Sequence, residues 1–145
     1  MQDSPIIEYH FTLGHHVKDI ERIEHVIKEL ESLLDIDEKS LFQLNLVLEE
    51  LISNTMFYGF SGMDEGSIDV DLSFDGSYIN VRIHDNAKEF DPTVEANDTS
   101  GHTLDERAVG GLGIMLSQRI SEEMEYKRHG GLNKLSFKIN TKRND

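Results

Sequence analysis

The hydrophobic residues between positions 68 and 83 repeat at every second residue, on both sides of an Asp75-Gly76 pair. This alternation is typical of β-strands with one buried and one solvated face, and Asp-Gly is a frequent two-residue hairpin turn. The apolar positions are Ile68, Val70, Leu72, Phe74, Ile79, Val81 and Ile83. Because a sheet of this kind packs one face against a second layer, the pattern predicts a two-layer sandwich.

The stretches before this hairpin change from period two to a spacing of three to four. Residues from about Val17 to Leu34 and from about Glu38 to Tyr58 have the spacing of amphipathic helices, with Asp37 or Asp35 as the N-cap of the second. The second helix is apolar almost all round, so we expect it to be largely buried. A strand is predicted at Ile6 to Leu13.

The C-terminal part predicts one more helix and one more hairpin. The helix is expected from about Leu112 to Met124, with a buried stripe of Leu112, Leu116, Ile120 and Met124. Residues 125–129 and 132–140 form the hairpin across Gly130-Gly131. The predicted fold class is therefore α+β, with helices on one face of a mixed, mainly antiparallel sheet.

Length and charge restrict the class of protein. The 145 residues suit a single domain, 1–145, with one polar, aperiodic loop at about 93–110. There is no cysteine, signal peptide or membrane-length apolar run, so we expect a cytoplasmic protein. The net charge of −14 disfavours nucleic acid and acidic membranes. It fits either simple solubility or docking to a basic partner protein.

Glu50 and Asn54 stand one turn apart on the same face of the second predicted helix. A carboxylate beside an amide oxygen suits a magnesium site, with the amide as a metal ligand and the carboxylate as a proton acceptor. The pattern alone favours a plainer interpretation, in which Glu49 and Glu50 are solvated and Asn54 lies near the helix end.

Asp85 ends the second strand of the Asp75-Gly76 hairpin on the inward-facing parity. An inward carboxylate at a strand end is suited to accept a hydrogen bond from a ligand, such as an adenine amino group. The alternative is an Asx turn that starts the following loop at Asp85-Asn86. The position alone does not separate the two.

Gly110, Gly111 and Gly113 precede or open the third predicted helix. Glycines at a helix start let backbone N–H groups approach a phosphate, which would let an acidic protein bind a polyanion. The spacing matches neither a Walker P-loop nor a Rossmann fingerprint. The loop before it resembles a lid, and Arg107 could reach phosphates. The alternative for the glycine-containing helix start and for the lid is a flexible surface loop with no ligand.

Taken in order, these segments resemble the N, G1 and G2 boxes of the GHKL (Bergerat-fold) ATPase and kinase superfamily. Within it, the chain is similar to the stand-alone anti-sigma factor serine kinases. The segments are LVLEELISNTMFYGF at 46–60, IHDNAKEFDPT at 83–93 and VGGLGIMLSQRISEEMEYKRHGGLNKLSF at 109–137. The resemblance runs from about residue 13 to 139, and the third segment is the most specific.

The resemblance implies a role for each matching position. Glu50 would be the general base, Asn54 would ligate Mg²⁺, and Asp85 would accept a hydrogen bond from adenine. The other positions implied to line ATP are Ala87, Arg107, Gly110, Gly111, Leu112, Gly113 and Asn133.

Two segments depart from the superfamily pattern. The G1 box, Asp-x-Gly-x-Gly in the superfamily, here has Ala87 and Glu89 in place of both glycines. The Phe90-Asp91-Pro92 ending matches the stand-alone kinases. Leu132-Asn133 stands where many relatives have Gly-Thr, which leaves Asn133 as an adenine-side contact by position only.

The resemblance implies an ATP-dependent serine/threonine kinase that phosphorylates a small anti-sigma-factor antagonist and also binds a sigma factor, and the family often forms homodimers. One alternative is an ATP-binding module that sequesters a partner without phosphoryl transfer. The other is the catalytic part of a histidine kinase, although His25 has no phosphoacceptor context.

Overall fold

The computed structural model describes residues 7–94 and 112–141. Its strands are β1 (Ile7–Leu13), β2 (Ile68–Phe74), β3 (Tyr78–Asp85), β4 (Glu122–His129) and β5 (Leu132–Asn140). Its α-helices are α1 (Glu21–Leu33), α2 (Glu38–Asn54) and α3 (Leu112–Ile120). A 3₁₀ turn (Val17–Ile20) precedes α1, and a π-helical turn (Thr55–Gly59) follows α2.

The five strands form one sheet in the order β1-β2-β3-β5-β4, and every described pair is antiparallel. The predicted hairpin at Asp75-Gly76 is confirmed, because Asp75 Oδ1 accepts from the backbone N–H of Ser77 and Tyr78. The register places Ile83 opposite both Val70 and Leu135, and Asp85 opposite Asn133. Asp85 and Asn133 therefore lie side by side on the sheet's inner face.

The helices cover one face of the sheet, as the alternation predicts. The core joins alternate residues of the strands to α1 and α2, with Leu44, Leu48 and Ile52 of α2 at most 1% exposed. Asp37 caps α2 by accepting from the backbone N–H of Ser40. The α+β class and the two-layer architecture are confirmed. No helix of the described residues is long and apolar enough to span a membrane.

The prediction for the third helix is wrong in its end and in part of its buried face. Helix α3 stops at Ile120, and residues 122–124 begin β4, where Glu122 pairs with Lys138 of β5. Leu112 is 67% exposed and Leu116 is 39% exposed, whereas Ile114 and Ser117 are buried. The helix turns Gly113 toward the side chain of Glu50 on α2, which a Cβ at position 113 would meet.

Candidate functional site

The C-terminal end of α2 positions the first two candidate residues. Glu50 and Asn54 lie one turn apart and are both half-buried. The chain then widens into the π-helical turn, in which the N–H of Phe60 donates to the carbonyl of Thr55 at 2.9 Å. Single π-helical turns inside helices are frequent at functional sites. Here the turn directs the carbonyl of Gly59 toward Lys88, whose N–H donates to it at 3.0 Å.

Glu50 meets the first turn of α3. A Cβ atom built on Gly113 would lie 2.0 Å from Oε2 of Glu50, which is possible only because residue 113 has no side chain. The fold thus brings the glycine-containing helix start and the carboxylate of α2 together, although 63 positions separate the two residues in the sequence. This contact joins the first and third of the sequence segments at one place.

Asp85 is 6% exposed at the end of β3. Its Oδ1 accepts from the backbone N–H of Ala87 at 3.0 Å and from Nδ2 of Asn133 at 2.8 Å. The inward orientation and the Asx turn, which the sequence presents as alternatives, therefore occur together. Burial raises the pKa of the Asp85 carboxyl, and the hydrogen bonds from Asn133 and Ala87 act against that rise.

Asn133 is the centre of a hydrogen-bond network at the start of β5. It is 7% exposed, and its Nδ2 also donates to the carbonyl of Lys88 at 2.9 Å. Its Oδ1 accepts from the hydroxyl of Tyr126 at 2.6 Å and from Nη1 of Arg128 at 3.0 Å. The amide thus contacts protein groups on both sides, next to the carboxylate that the resemblance assigns to adenine.

Ala87 is buried beside Gly59 of the π-helical turn. A Cβ on Gly59 would lie 2.8 Å from Cβ of Ala87, so the absence of a side chain at 59 makes room for Ala87. Nη1 of Arg128 donates to the carbonyl of Ala87 at 2.8 Å. The loop continues through Pro92, whose carbonyl accepts from the side-chain amide of Gln118 on α3.

Three predicted site residues, Arg107, Gly110 and Gly111, lie outside the described residues, as does most of the predicted lid loop at about 93–110. The structure brings together Glu50 with Gly113, and Asp85 with Ala87 and Asn133. Leu112 is described and points largely to solvent.

Sequence reasoning missed Tyr126, Arg128 and Gly59. The sequence did contain a signal for Arg128. A hairpin across Gly130-Gly131 places residue 128 opposite residue 133. Residue 133 has the same inward parity as Leu135, Phe137 and Ile139. The same parity applies to Tyr126, which pairs with Leu135. No pattern in the sequence indicated Gly59, because its role depends on packing between distant segments.

Residues 16–139 match the family model described as "Histidine kinase-like ATPase domain". The chain belongs to this family. Two serine/threonine kinases match this chain at low identity. One is the serine/threonine-protein kinase BtrW of Bordetella bronchiseptica, 26% identical over 96 residues, or 66% of this chain and 68% of the relative.

A second relative is the serine-protein kinase RsbW of Listeria monocytogenes, 26% identical over 91 residues. That match covers 60% of this chain and 58% of the relative, so this chain spans little more than half the length of RsbW. Among solved structures, the RsbU and RsbW domains of Rv1364c from Mycobacterium tuberculosis superpose with a TM-score of 0.64 at 11% identity. That match covers 95% of this chain and 33% of the other, and it shows that the histidine kinase-like ATPase fold is shared.

Proposed function

We propose that this chain is an ATP-dependent serine/threonine protein kinase that acts as an anti-sigma factor and phosphorylates a small antagonist protein. The observation that carries the proposal is the contact between Glu50 and Gly113, which places a carboxylate at the first turn of α3. Asn54 lies one helical turn from that carboxylate. The names of the relatives, serine-protein kinase RsbW and serine/threonine-protein kinase BtrW, support the same reaction.

In this proposal Glu50 is the general base. It would accept the proton of a serine or threonine hydroxyl as that oxygen forms a bond to the γ-phosphorus of ATP. The bond from the γ-phosphorus to the β–γ bridging oxygen breaks, and ADP leaves with that oxygen. Because phosphoryl transfer depends mainly on positioning and charge stabilisation, a correctly held carboxylate and a backbone cradle are the contributions expected of the protein.

The amide oxygen of Asn54 is a type of ligand that suits Mg²⁺. The described residues contain no group of three or more His, Cys, Asp or Glu side chains that could hold a metal alone. Mg²⁺ is usually held by one or two protein ligands together with substrate phosphates and water, so an amide oxygen near a phosphate site is sufficient. Asn54 would hold the ion, and the ion would neutralise part of the phosphate charge. Burial of Asp85 beside Asn133 supports its assignment to the adenine end of ATP.

The partners proposed are a sigma factor and the antagonist protein, in the cytoplasm. They rest on the resemblance to anti-sigma factor kinases, and the net charge of −14 is compatible with a basic protein partner. A homodimer is proposed on the same basis.

A transfer assay with labelled ATP and Mg²⁺ tests the proposal. The acceptors are the small serine-containing antagonist proteins encoded by the same genome, and the variants are Glu50→Gln and Glu49→Gln. We expect label on serine or threonine with the unaltered chain and with Glu49→Gln. For Glu50→Gln we expect a rate lower by about 10²- to 10⁴-fold, the usual contribution of a general base. Equal rates for the two variants would contradict the assigned base.

A partner-sequestering module without transfer is the second candidate function. The observation that favours it is Ala87, which fills space where the superfamily pattern has a glycine. Binding of the sigma factor in the presence of ATP, with no label transferred to any acceptor tested, would support this second function over the first.

A further inference from the structure

Residues 86–90, the loop that follows β3, are held by side chains of the β4-β5 hairpin. We propose that Asn133 and Arg128 form a clamp that fixes this loop in the conformation that presents Asp85 to the base. In the superfamily pattern two glycines give this loop its backbone freedom. Here the contacts of the clamp would set the conformation of the loop. The base-recognition part of the inference rests on the proposed nucleotide-binding function, whereas the clamp itself consists of contacts within the protein.

The hydrogen-bonding capacity of Asn133 is used by the protein. An asparagine amide offers two N–H donors and one oxygen with two lone pairs. The donors contact Asp85 Oδ1 at 2.8 Å and the Lys88 carbonyl at 2.9 Å. The oxygen accepts from Tyr126 at 2.6 Å, Arg128 at 3.0 Å and the Phe90 N–H at 3.4 Å. With both ends occupied, Asn133 is a positioning residue for the loop and for Asp85.

Arg128 reinforces the clamp from the edge strand β4. Its Nη1 lies 2.8 Å from the carbonyl of Ala87 and 3.0 Å from Oδ1 of Asn133. A guanidinium holds two acceptors in a fixed relative position because its donors lie in one rigid plane. Arg128 therefore ties the backbone of the loop to the amide that holds Asp85.

The packing of Ala87 explains why the loop tolerates a side chain at this position. Among the described residues with a side chain, Glu123 alone has a positive φ, so Ala87 needs no conformation reserved for glycine. Its methyl group fills space beside Gly59, and the next N–H, of Lys88, donates to the Gly59 carbonyl at 3.0 Å. Alanine also has fewer unfolded conformations to lose than glycine. The loop is thus ordered by contacts on both sides.

The direction of the Asn133–Asp85 hydrogen bond has a consequence for base selection. Because Asn133 donates to Oδ1, Asp85 remains an acceptor, and its Oδ2 can accept from an amino group such as that of adenine. Guanine presents a carbonyl oxygen at the equivalent ring position, and two acceptors repel each other. In an Asn133→Asp variant, two adjacent carboxylates would share a proton, which gives Asp85 donor character and weakens the preference for adenine.

The test uses two pairs of matched variants of the full chain. Asn133→Asp is compared with Asn80→Asp, which makes the same change on the outer face of β3, where Asn80 contacts Asp75. Arg128→Gln is compared with Lys127→Gln, its neighbour on the opposite face of β4. Arg128 and Lys127 are both exposed residues, so neither change removes a core side chain if the Asn133 variant fails to fold.

The first measurement is amide hydrogen exchange without nucleotide. We expect exchange at Phe90 and Lys88 to be roughly tenfold faster in Asn133→Asp and Arg128→Gln, and unchanged in the two controls. Unchanged exchange in both clamp variants would overturn the clamp, whatever nucleotides the chain binds.

The second measurement is the ratio of the dissociation constants for GTP and ATP. We expect this ratio to fall about tenfold or more in Asn133→Asp and to stay constant in Asn80→Asp. Faster exchange with an unchanged ratio would overturn the role of the clamp in base selection. If the unaltered chain binds no adenine nucleotide, the proposed function fails, while the exchange result still decides whether the clamp exists.

Discussion

Gly113 of α3 lies so close to the carboxylate of Glu50 on α2 that a Cβ at position 113 would be 2.0 Å from Oε2 and 2.9 Å from Cδ. Glycine at 113 is therefore required by the position of one carboxylate, whose place at the start of α3 is the basis of the proposed transfer reaction. A side chain at this point would force the carboxylate to move.

Gly113→Ala is expected to reduce phosphoryl transfer without unfolding the chain. Displacement of a reacting group by about 1 Å can cost about 100-fold in rate. Alanine is favoured over glycine by about 1 kcal/mol in helix interiors, so α3 itself is not weakened. Transfer rate and Tm are measured together, with Arg119→Ala as the control on the exposed side of α3. A full transfer rate in Gly113→Ala would contradict the importance of this contact.

Asn54→Ala is expected to remove the Mg²⁺ dependence of ATP binding. If the amide oxygen is a metal ligand, the variant should bind ATP about as weakly with Mg²⁺ as the unaltered chain does without it. Titrations with and without Mg²⁺ measure this difference, and Ser53→Ala, one residue earlier in α2, is the control. An undiminished response to Mg²⁺ in Asn54→Ala would show that the ion is held elsewhere.

The raised pKa of Asp85 predicts how stability changes with pH. Because the pKa is raised in the fold by burial, the stability that Asp85 contributes is present below its unfolded pKa and is lost as pH rises through its folded pKa. The free energy of unfolding of Asp85→Asn, relative to that of the unaltered chain, should therefore increase from pH 4 to pH 7. Urea unfolding at the two pH values measures the gap, and a constant gap would contradict the prediction.

The pKa of the Asp75 carboxyl is shifted in the opposite direction to that of Asp85. Hydrogen bonds from the backbone N–H groups of Tyr78 and Ser77 lower the pKa of its carboxyl. Its contribution to stability is thus present above the unfolded pKa and lost as pH falls through the folded pKa. The stability advantage of the unaltered chain over Asp75→Asn should shrink toward low pH. Urea unfolding followed from pH 7 down to about pH 2, below the ordinary carboxyl pKa, tests this prediction. A gap that widens on acidification would be inconsistent with the hairpin contacts.

Leu44→Ala is expected to destabilise the fold by about 2–5 kcal/mol, because it removes a fully buried side chain from α2 and leaves a cavity. Leu33→Ala makes the same change at a side chain that is 65% exposed, and its effect should stay within about 0.5 kcal/mol. Chemical denaturation measures both. Similar losses in the two variants would contradict the position of the core.

The period of the hydrophobic residues was sufficient to predict the strands of the central hairpin and the two-layer packing, because these features depend on neighbours in the sequence. The N-cap of α2 was predicted only as Asp37 or Asp35, and the structure has Asp37. The end of α3 was not predictable in this way, since pairing of Glu122 with Lys138 competes with helix propensity. The clamp of Asn133 and Arg128 depends on strand register, and the Gly59–Ala87 packing on a contact between distant segments. The Gly59–Ala87 packing leaves no periodic signal, whereas the place of Arg128 opposite Asn133 follows from the parity of β5 and the hairpin at Gly130-Gly131.

Calorimetric titration of ATP with Mg²⁺ into the unaltered chain and into Asp85→Asn tests whether the chain binds ATP with its base at Asp85. We expect saturable binding of one ATP per unaltered chain. In the variant we expect an affinity about 10- to 100-fold lower, the effect of one lost charge-assisted hydrogen bond of about 1.5–3 kcal/mol. Absence of binding to the unaltered chain, or equal affinity for the two proteins, would contradict it.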